Sequence, residues 1–293
     1  MAKHTRGWLL GCGLLSMAGL MVVVSLAALW NLGGSGSFLG AISGNKVGLV
    51  VIEGPITGSR HLVDEIEAHR RDPAVRAVVI RVESPGGGVA PSQEIHDAIL
   101  RLRAEKPVVA SLGSVAASGG YYAAVAADSI VANPGTLTGS IGVIFEFPTF
   151  PDLLEKLGVR YQVYKSGSMK DIGSFSREPT EAEDDVLDAI IDDVYAQFVD
   201  AVVEGRGLPR EQVLAAADGR VFTGRQALDA GLVDRLGGLH EAVLLAADMA
   251  GISGDPEILR KTRPVLPWLH LLDRILRENS YFTSSRNLSY RFR

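Results

Sequence analysis

The stretch Val108–Asp128 constrains the fold of this chain more than any other, because it joins two elements that must be buried. Its first part, Val108–Leu112, is a short apolar run bounded by a proline and a glycine, which is typical of a buried strand. Its last part, Tyr121–Ala127, is rich in alanine and predicts a buried helix. The residues between them therefore lie inside the domain.

Ser118 lies at this junction and is followed by Gly119 and Gly120. A serine in the first turn of a helix is close to unpaired backbone N–H groups and to the positive end of the helix dipole. An attacking oxygen and a developing oxyanion could both be stabilised there. Serine is also a common helix cap, so Ser118 taken alone fits either role.

Composition excludes several classes of function. The 293-residue chain has a net charge of -5 with dispersed basic residues, so it lacks the electrostatic footprint of a nucleic-acid-binding protein. Cys12 is the only cysteine, which excludes a disulfide framework and a thiolate metal site. The six histidines show no ligand spacing such as HExxH. We therefore expect neither a metal site nor a cofactor.

The N-terminal region has no charged residue between Arg6 and Lys46, and Trp8–Trp30 is almost wholly apolar. About 23 helical residues span roughly 34 Å, which is enough to cross a bilayer. This predicts a transmembrane anchor at residues 7–32. A cleaved signal peptide is the alternative, because Ser25–Ala27 resembles a processing site. The apolar region of a signal peptide is usually only about 7–15 residues long, which favours a retained anchor.

Charge around this span predicts its orientation. Lys3 and Arg6 precede it and no basic residue follows closely, which places residues 1–6 in the cytoplasm and the rest of the chain outside. Residues 33–46 contain the sequence GGSGS and form a flexible linker between membrane and domain.

Hydrophobic periodicity from Lys46 onwards predicts alternating strands and helices. Strands are predicted at Val47–Glu53, Ala77–Val82, Val108–Leu112, Ile130–Ala132 and Gly142–Phe145. Helices are predicted at Leu62–Arg71, Pro91–Lys106, Tyr121–Ala127 and Glu181–Gly205. The last helix carries an apolar stripe formed by Val186, Ile190, Val194, Phe198 and Val202, and a capping signal at its start. This order is typical of an α/β domain with a largely parallel sheet.

The glycine-rich segment Ser84–Gly88 follows a predicted strand and precedes a predicted helix. Three glycines allow the backbone to approach a ligand closely and its N–H groups to point at it. The segment lacks the Walker lysine and the GxGxxG spacing, so nucleotide binding is disfavoured. It could equally be an ordinary turn between strand and helix.

The polar segment Tyr164–Arg177 contains Lys165 and Lys170. A lysine acts as a general base only if burial lowers its pKa by several units from about 10.4. A loop folded over a serine pocket would provide such burial. Most lysines are solvated surface residues, so neither lysine taken alone indicates catalysis.

Five segments together point to one protein family, although each segment alone is weak evidence for it. They are VESPGGGV (82–89), GSVAASGGYY (113–122), NPGTLTGSIGV (133–143), SGSMKDIGSFSR (166–177) and ADGRVFTGRQALDAGLVDRLGG (217–238). This set resembles the signal peptide peptidase SppA family of serine–lysine membrane peptidases, and its single domain resembles the short bacterial form. The resemblance implies a ClpP/crotonase-like fold of ββα units with one N-terminal transmembrane helix. It also implies a peptidase domain at 47–251 and a C-terminal extension at 252–293.

The resemblance implies roles for five residues by their position in these motifs. Ser118 corresponds to the nucleophile, Lys170 to the general base, Gly87 and Gly119 to the oxyanion hole, and Ser140 to a residue that orients the lysine. The KDxGS pattern at 170–174 selects Lys170 over Lys165. Two positions depart from the family pattern: Glu83 stands where Asn or Asp is usual, and Phe175-Ser176 replaces a Ser-Pro-type sequence.

The implied function is degradation of remnant signal peptides by a serine endopeptidase of the bacterial cytoplasmic membrane, with the catalytic domain on the extracytoplasmic side. The implied partners are apolar peptides, the membrane and further copies of the chain, since short family members form homo-oligomers. In some of these members, the serine and the lysine of one site come from neighbouring subunits.

Three other functions remain as alternatives at this stage. They are a crotonase-type acyl-CoA hydratase or isomerase, a membrane serine protease for a specific protein partner, and an inactive membrane-tethered scaffold. An α/β-hydrolase is disfavoured, because Ala116 occupies the first glycine position of the G-x-S-x-G elbow.

Overall fold

A computed structural model describes residues 45–260 of the chain. The predicted cytoplasmic residues 1–6 and the anchor at 7–32 lie outside the described residues, and so do most of the linker (33–46) and of the C-terminal extension (252–293). Within residues 45–260, no helix is both long enough and apolar enough to span a membrane.

Strands and helices alternate along the described chain. The strands are β1 (Lys46–Glu53), β2 (Val75–Ser84), β3 (Val108–Ala117), β4 (Ser129–Ala132), β5 (Leu137–Gly139), β6 (Val221–Thr223), β7 (Arg235–Leu236) and β8 (Glu257–Arg260). The helices are α1 (Arg60–Arg71), α2 (Val89–Arg103), α3 (Gly119–Ala124), α4 (Pro151–Lys156), α5 (Glu181–Arg206), α6 (Arg210–Ala216), α7 (Gly224–Asp229) and α8 (Leu239–Met249). A 3₁₀ helix spans Ser168–Asp171.

The strands form one mixed sheet that is mostly parallel. Its order is β6-β5-β3-β2-β1-β8, and β4 pairs with both β3 and β7. The pairing of β5 with β6 is antiparallel, and the other pairings between these strands are parallel. Parallel strands are usually covered on both faces, which explains why β2 is an almost continuous buried apolar run. The predicted α/β class with a largely parallel sheet is confirmed.

Helices cover both faces of the sheet, and alternate strand residues contribute to each face. One core joins the sheet to buried side chains of α1, α2, α3 and α5, including Ile66, Ile99, Tyr121 and Phe198. A second core packs Val47, Val79 and Val109 against α8, from which Ala242, Val243, Ala246 and Ala247 are buried. The central strand β3 is therefore enclosed by apolar side chains.

Most predicted elements are confirmed, and one strand is wrong. Residues 140–150 contain no strand; instead β5 ends at Gly139, before the predicted strand Gly142–Phe145 begins. The reason is local, because Gly139 has φ 77° and Ser140 has φ 51°. Two successive residues with positive φ turn the backbone out of the extended conformation, so the chain leaves the sheet at this point.

The long helix α5 is confirmed together with its N-terminal capping box, which Thr180 and Glu183 form. The predicted apolar stripe is buried only in its C-terminal half, where Phe198 and Val202 lie in the core. In the N-terminal half, Val186 and Ile190 are exposed by 39% and 42%. One end of α5 thus presents apolar side chains outside the domain core.

The contact between α5 and the end of α3 gives a test of this packing. A Cβ atom added at Gly205 would collide with the carbonyl oxygen of Val125 and lie 3.0 Å from its carbonyl carbon. We expect Gly205→Ala to lower the free energy of unfolding by about 1–3 kcal/mol, because a backbone atom must shift to admit the methyl group. Urea unfolding measures the effect, with Gly58→Ala as the control, since a Cβ there meets nothing within 4 Å. Equal stability of the two variants would contradict the packing described here.

Candidate active site

Ser118 connects β3 to α3 in a conformation that is rare for a residue with a side chain. Its φ is 50° and its ψ is -123°, and the residue is 4% exposed. Its N–H donates to the carbonyl of Gly139 at 2.8 Å, and its carbonyl accepts from the N–H of Tyr122 at 2.8 Å. Strained backbone of this kind persists only where the surroundings determine it, and it is concentrated at functional sites.

The pairing of β3 fixes the backbone that leads to Ser118. On one edge, β3 pairs with β2 from Val108 as far as Ala116. On the other edge, its first part pairs with β4 and its last residues, Val115–Ala117, pair with β5. The β2 edge is therefore occupied up to Ala116 and the β5 edge up to Ala117, so Ser118 directly follows the last paired residue of β3.

The glycine-rich turn after β2 is held by hydrogen bonds on both sides. Gly86 has φ 101°, and its N–H donates to Ser84 Oγ at 3.1 Å. Ile56 brackets the turn, because its N–H donates to the carbonyl of Gly86 and its carbonyl accepts from the N–H of Gly88, both at 2.8 Å. Among residues 45–260, the intervening Gly87 N–H has no hydrogen-bond acceptor.

The same turn lies directly against the residues at Ser118. A Cβ added at Gly86 would lie 2.7 Å from the nitrogen of Gly119 and 2.8 Å from Cβ of Ser118. A Cβ added at Gly119 would lie 3.3 Å from the nitrogen of Gly87 and would collide with Ser92 Oγ. The Gly119 N–H also lacks an acceptor within the described residues. The fold thus places two unpaired N–H groups beside the serine.

Two cavities meet at Ser118. The first has a volume of about 360 Å³, which is within the usual range of about 300–1,000 Å³ for ligand sites. Ser118 and Ser140 line it together with apolar side chains that include Val143, Ile191 and Tyr195. The second cavity is lined by Gly87, Ser118 and Gly119 and by the apolar side chains of Val89, Tyr122, Val143, Val194 and Phe198. The first cavity suits an apolar group next to a hydroxyl, whereas the second, with a volume of about 20 Å³, has room for little more than a water molecule.

Ser140 is tied to the backbone around Ser118. It directly follows Gly139, whose carbonyl accepts the Ser118 N–H, and its own N–H donates to the carbonyl of Arg220 at 2.9 Å. Its φ of 51° is the second positive value for a non-glycine residue among those described. The structure therefore brings four of the predicted site residues together: Ser118, Gly87, Gly119 and Ser140.

Lys170 is not brought to this cluster within one copy of the chain. It lies on the 3₁₀ helix Ser168–Asp171, it is exposed, and it lines neither of the two cavities at Ser118. Within residues 45–260 its ammonium makes no ion pair and no side-chain hydrogen bond. Lys165 differs, because its ammonium is paired with Asp171 and donates to the carbonyl of Ser168 at 2.8 Å.

The two departures from the family pattern have defined contacts. The carboxylate of Glu83 pairs with Arg81 and accepts the N–H of Ser114 at 2.8 Å, so it links the ends of β2 and β3. Gly113 leaves room for it, since a Cβ there would collide with the carboxylate. The ring of Phe175 stacks on Phe150 at 5.1 Å and lies 5.0 Å from Tyr161. Phe175 therefore joins the loop that carries Lys170 to the residues that precede it.

Two residues have defined contacts but no role that the sequence predicts. Ser92 is buried beside Gly119, and its hydroxyl donates to the carbonyl of Gly88 at 2.8 Å. Arg177 joins Asp171 to Glu183. The bond from Ser92 to Gly88 is the local contact that a serine four residues after a helix cap can make, so the sequence alone gives it no special meaning. The Arg177 contacts depend on the folded loop and have no signal in the sequence.

No group of three or more His, Cys, Asp or Glu side chains in the described part of the chain is arranged to hold a metal ion. The chemistry available at Ser118 is that of a hydroxyl, two backbone donors and neighbouring apolar walls. Such a set can stabilise an oxyanion that forms when an alcohol attacks a carbonyl.

Comparison with known proteins identifies related chains. The model of peptidase family S49 matches residues 101–253. A candidate protease of Synechocystis sp. is 46% identical over 211 residues, which cover 72% of this chain and 76% of that protein. A candidate signal peptide peptidase SppA of Enterococcus faecium is 38% identical over 185 residues, covering 63% of this chain and 54% of that protein. A chloroplastic serine protease SPPA of Arabidopsis thaliana is 36% identical over 208 residues, covering 69% of this chain and 31% of that protein.

The strain at Ser118 gives a prediction that is independent of activity. Holding a side-chain-bearing residue at this φ costs about 1–3 kcal/mol, and glycine relieves that cost. Glycine also loses about 0.5–1 kcal/mol through its freer unfolded state. We expect Ser118→Gly to be more stable than Ser118→Ala by about 1 kcal/mol in urea unfolding, since alanine keeps the strain. A glycine variant that is no more stable than the alanine variant would mean that the conformation is unstrained.

Proposed function

The chain belongs to peptidase family S49, and from this membership we propose that it is a membrane-anchored serine peptidase that degrades remnant signal peptides. In this proposal Ser118 is the nucleophile and Lys170 is the general base. The observation that carries it is a buried, strained serine beside two backbone N–H groups that lack acceptors within residues 45–260. A ClpP/crotonase-like fold agrees with the mostly parallel sheet.

The proposed reaction uses the groups around Ser118 one after another. A neutral Lys170 takes the proton of Ser118 as its oxygen attacks the peptide carbonyl. The N–H groups of Gly87 and Gly119 then hold the tetrahedral oxyanion, and each donor lowers the barrier by about 3 kcal/mol. The lysine passes its proton to the leaving amine, which yields an acyl-enzyme. A water that the same lysine deprotonates attacks the ester and releases Ser118.

The contacts of the two candidate lysines support Lys170 as the base. The Lys165 ammonium is committed to Asp171 and to the carbonyl of Ser168. The Lys170 ammonium has no ion pair and no side-chain hydrogen bond within residues 45–260, and the family motif assigns the base to this position. Ser140, which shares a cavity with Ser118, is suited to orient an incoming lysine through its hydroxyl.

A base has to be desolvated, and Lys170 is exposed in one copy of the chain. We propose that a homo-oligomer provides this cover and brings Lys170 of one subunit to Ser118 of another. Large exposed apolar side chains in the stretch of sequence that contains Lys170 support such contacts: Ile144, Phe147, Phe150, Leu153, Leu157, Val159, Tyr161, Val163, Tyr164, Met169, Val186 and Ile190. Exposed apolar surface of this extent is typical of an interaction site.

Apolar peptides are the proposed substrates because apolar side chains line the 360 Å³ cavity at Ser118. A signal peptide has an apolar central region, and the predicted anchor at residues 7–32 would hold the enzyme at the membrane where such remnants remain. The proposed location is the bacterial cytoplasmic membrane, with the catalytic domain on the extracytoplasmic side.

The substrate proposal is tested with the purified full-length chain in detergent. We expect synthetic signal-peptide fragments to be cleaved much faster than intact folded proteins, and we expect no cleavage by Ser118→Ala. Efficient cleavage of one intact membrane protein, with signal peptides left uncut, would favour a protease for a specific protein partner.

The base assignment gives a sharper prediction. We expect Lys170→Ala to lose almost all peptidase activity and labelling of the serine by a fluorophosphonate, because Ser118 then lacks a proton acceptor. Lys165→Ala is the matched control from the same loop, and we expect it to keep most of its activity. Full activity of the Lys170 variant would overturn the assignment.

A further inference from the structure

We propose that Arg177 is a positioning residue that fixes the turn carrying Lys170 to the first turn of α5. The inference deepens the proposed function and rests on Lys170 as the base. Arg177 touches neither Ser118 nor the cavities beside it, so it would act through the backbone of the 3₁₀ helix Ser168–Asp171.

The guanidinium of Arg177 binds two carboxylates at once. Its Nη2 donates to Asp171 Oδ1 at 2.9 Å, and its Nε donates to Asp171 Oδ2 at 3.1 Å. Its Nη1 donates to Glu183 Oε2 at 2.7 Å. A planar fork that engages a carboxylate through two parallel bonds fixes direction as well as distance. Asp171 is the residue directly after Lys170, so the orientation of the turn is tied to this fork.

The other end of the bridge is rigid. Glu183 is 2% exposed, and its carboxylate also accepts the N–H of Thr180 at 2.9 Å as part of the capping box of α5. A buried carboxylate is costly unless it is paired, so Glu183 holds Arg177 in place. The bridge thus attaches the turn to α5, whose C-terminal half lies in the core.

The charges of the bridge persist at working pH. Hydrogen bonds from Arg177 lower the pKa of Asp171 well below its ordinary value, with a further contribution from Lys165. Arg177 and the backbone of Thr180 lower the pKa of Glu183 to about 2. Because both folded-state values are depressed, the stabilisation is complete above the unfolded values of about 4 and is lost only as the pH falls through the folded values. The bridge therefore stays intact across neutral pH.

Besides Arg177, the Lys165 ammonium holds the turn within the described residues, through Asp171 and the carbonyl of Ser168. None of the four residues of the turn is buried. Misplacing a catalytic group by about 1 Å can reduce a rate by about 100-fold. A lysine at position 177 cannot replace the arginine fully, because an ammonium is a point charge without the planar fork. The geometry therefore predicts that loss of Arg177 slows proton transfer more than it weakens substrate binding.

The test compares Arg177→Ala, Arg177→Lys and Asp171→Asn with Arg210→Ala, whose guanidinium pairs with Asp200 in an exposed ion pair. The full-length chain in detergent is assayed on an apolar peptide, with active sites titrated by a fluorophosphonate and oligomer size measured. Asp171→Asn weakens the link to the turn and leaves the buried Glu183 paired with Arg177. It also removes the carboxylate that Lys165 binds, so Lys165→Ala in the same series separates the two contacts.

We expect kcat per titrated site to fall by about 10- to 100-fold in Arg177→Ala and Asp171→Asn, with KM changed by less than about twofold. Arg177→Lys should recover part of the loss, and Arg210→Ala should match the wild type. The acid limb of the kcat pH profile should move to higher pH in the two slow variants, because a loosely held lysine is less well desolvated. A purely structural defect would lower the number of titrated sites without moving that limb.

Wild-type kcat and an unmoved acid limb in Asp171→Asn, together with an inactive Lys170→Ala, would overturn the role of Arg177 and leave the proposed function standing. An active Lys170→Ala would instead overturn the proposed base. The two failures are therefore distinguishable in one series of variants.

Discussion

The backbone conformation of Ser118 is the constraint on which the rest of the site depends. The residue is held at φ 50° because β3 is paired with β2 up to Ala116 and with β5 up to Ala117, and because the Ser118 N–H donates to the carbonyl of Gly139. The close approach of the neighbouring turn then requires glycine at positions 86 and 119, where a Cβ would collide with backbone or side-chain atoms. The strained backbone of Ser118 and the two glycines that pack beside it therefore depend on each other.

The described chain separates into a packed sheet domain and an exposed segment that follows β5. The sheet supplies Ser118, the two N–H donors and the apolar cavity walls. The segment from about residue 144 to residue 180 supplies Lys170 and many exposed apolar side chains, and Arg177 ties it to Glu183 in the first turn of α5. This division explains why one copy of the chain presents a nucleophile and an oxyanion site without a desolvated base, and why an assembly of copies is part of the proposal.

Much of the fold could be predicted from the sequence, because buried parallel strands are continuous apolar runs that local patterns reveal. Residues 113–117 were not predicted as part of β3, since small residues have little strand propensity of their own and extend only because β2 and β5 pair with them. The strand predicted at Gly142–Phe145 was wrong, because positive φ at Gly139 and Ser140 cannot be inferred from hydropathy. Ser118 was located by its place between a strand and a helix, whereas the roles of Lys170 and Ser140 came from the family resemblance. The Arg177 bridge joins residues whose proximity exists only in the folded loop.

The most direct test of the central claim is a structure of the assembled protein after reaction with an apolar peptide boronate. We predict a covalent bond from boron to the oxygen of Ser118, and a boronate oxygen about 3 Å from the nitrogens of Gly87 and Gly119. We also predict that the Lys170 nitrogen of the same or a neighbouring subunit lies within about 3 Å of the serine oxygen. An adduct on another residue, or a Lys170 ammonium that extends into solvent in every subunit, would contradict the account.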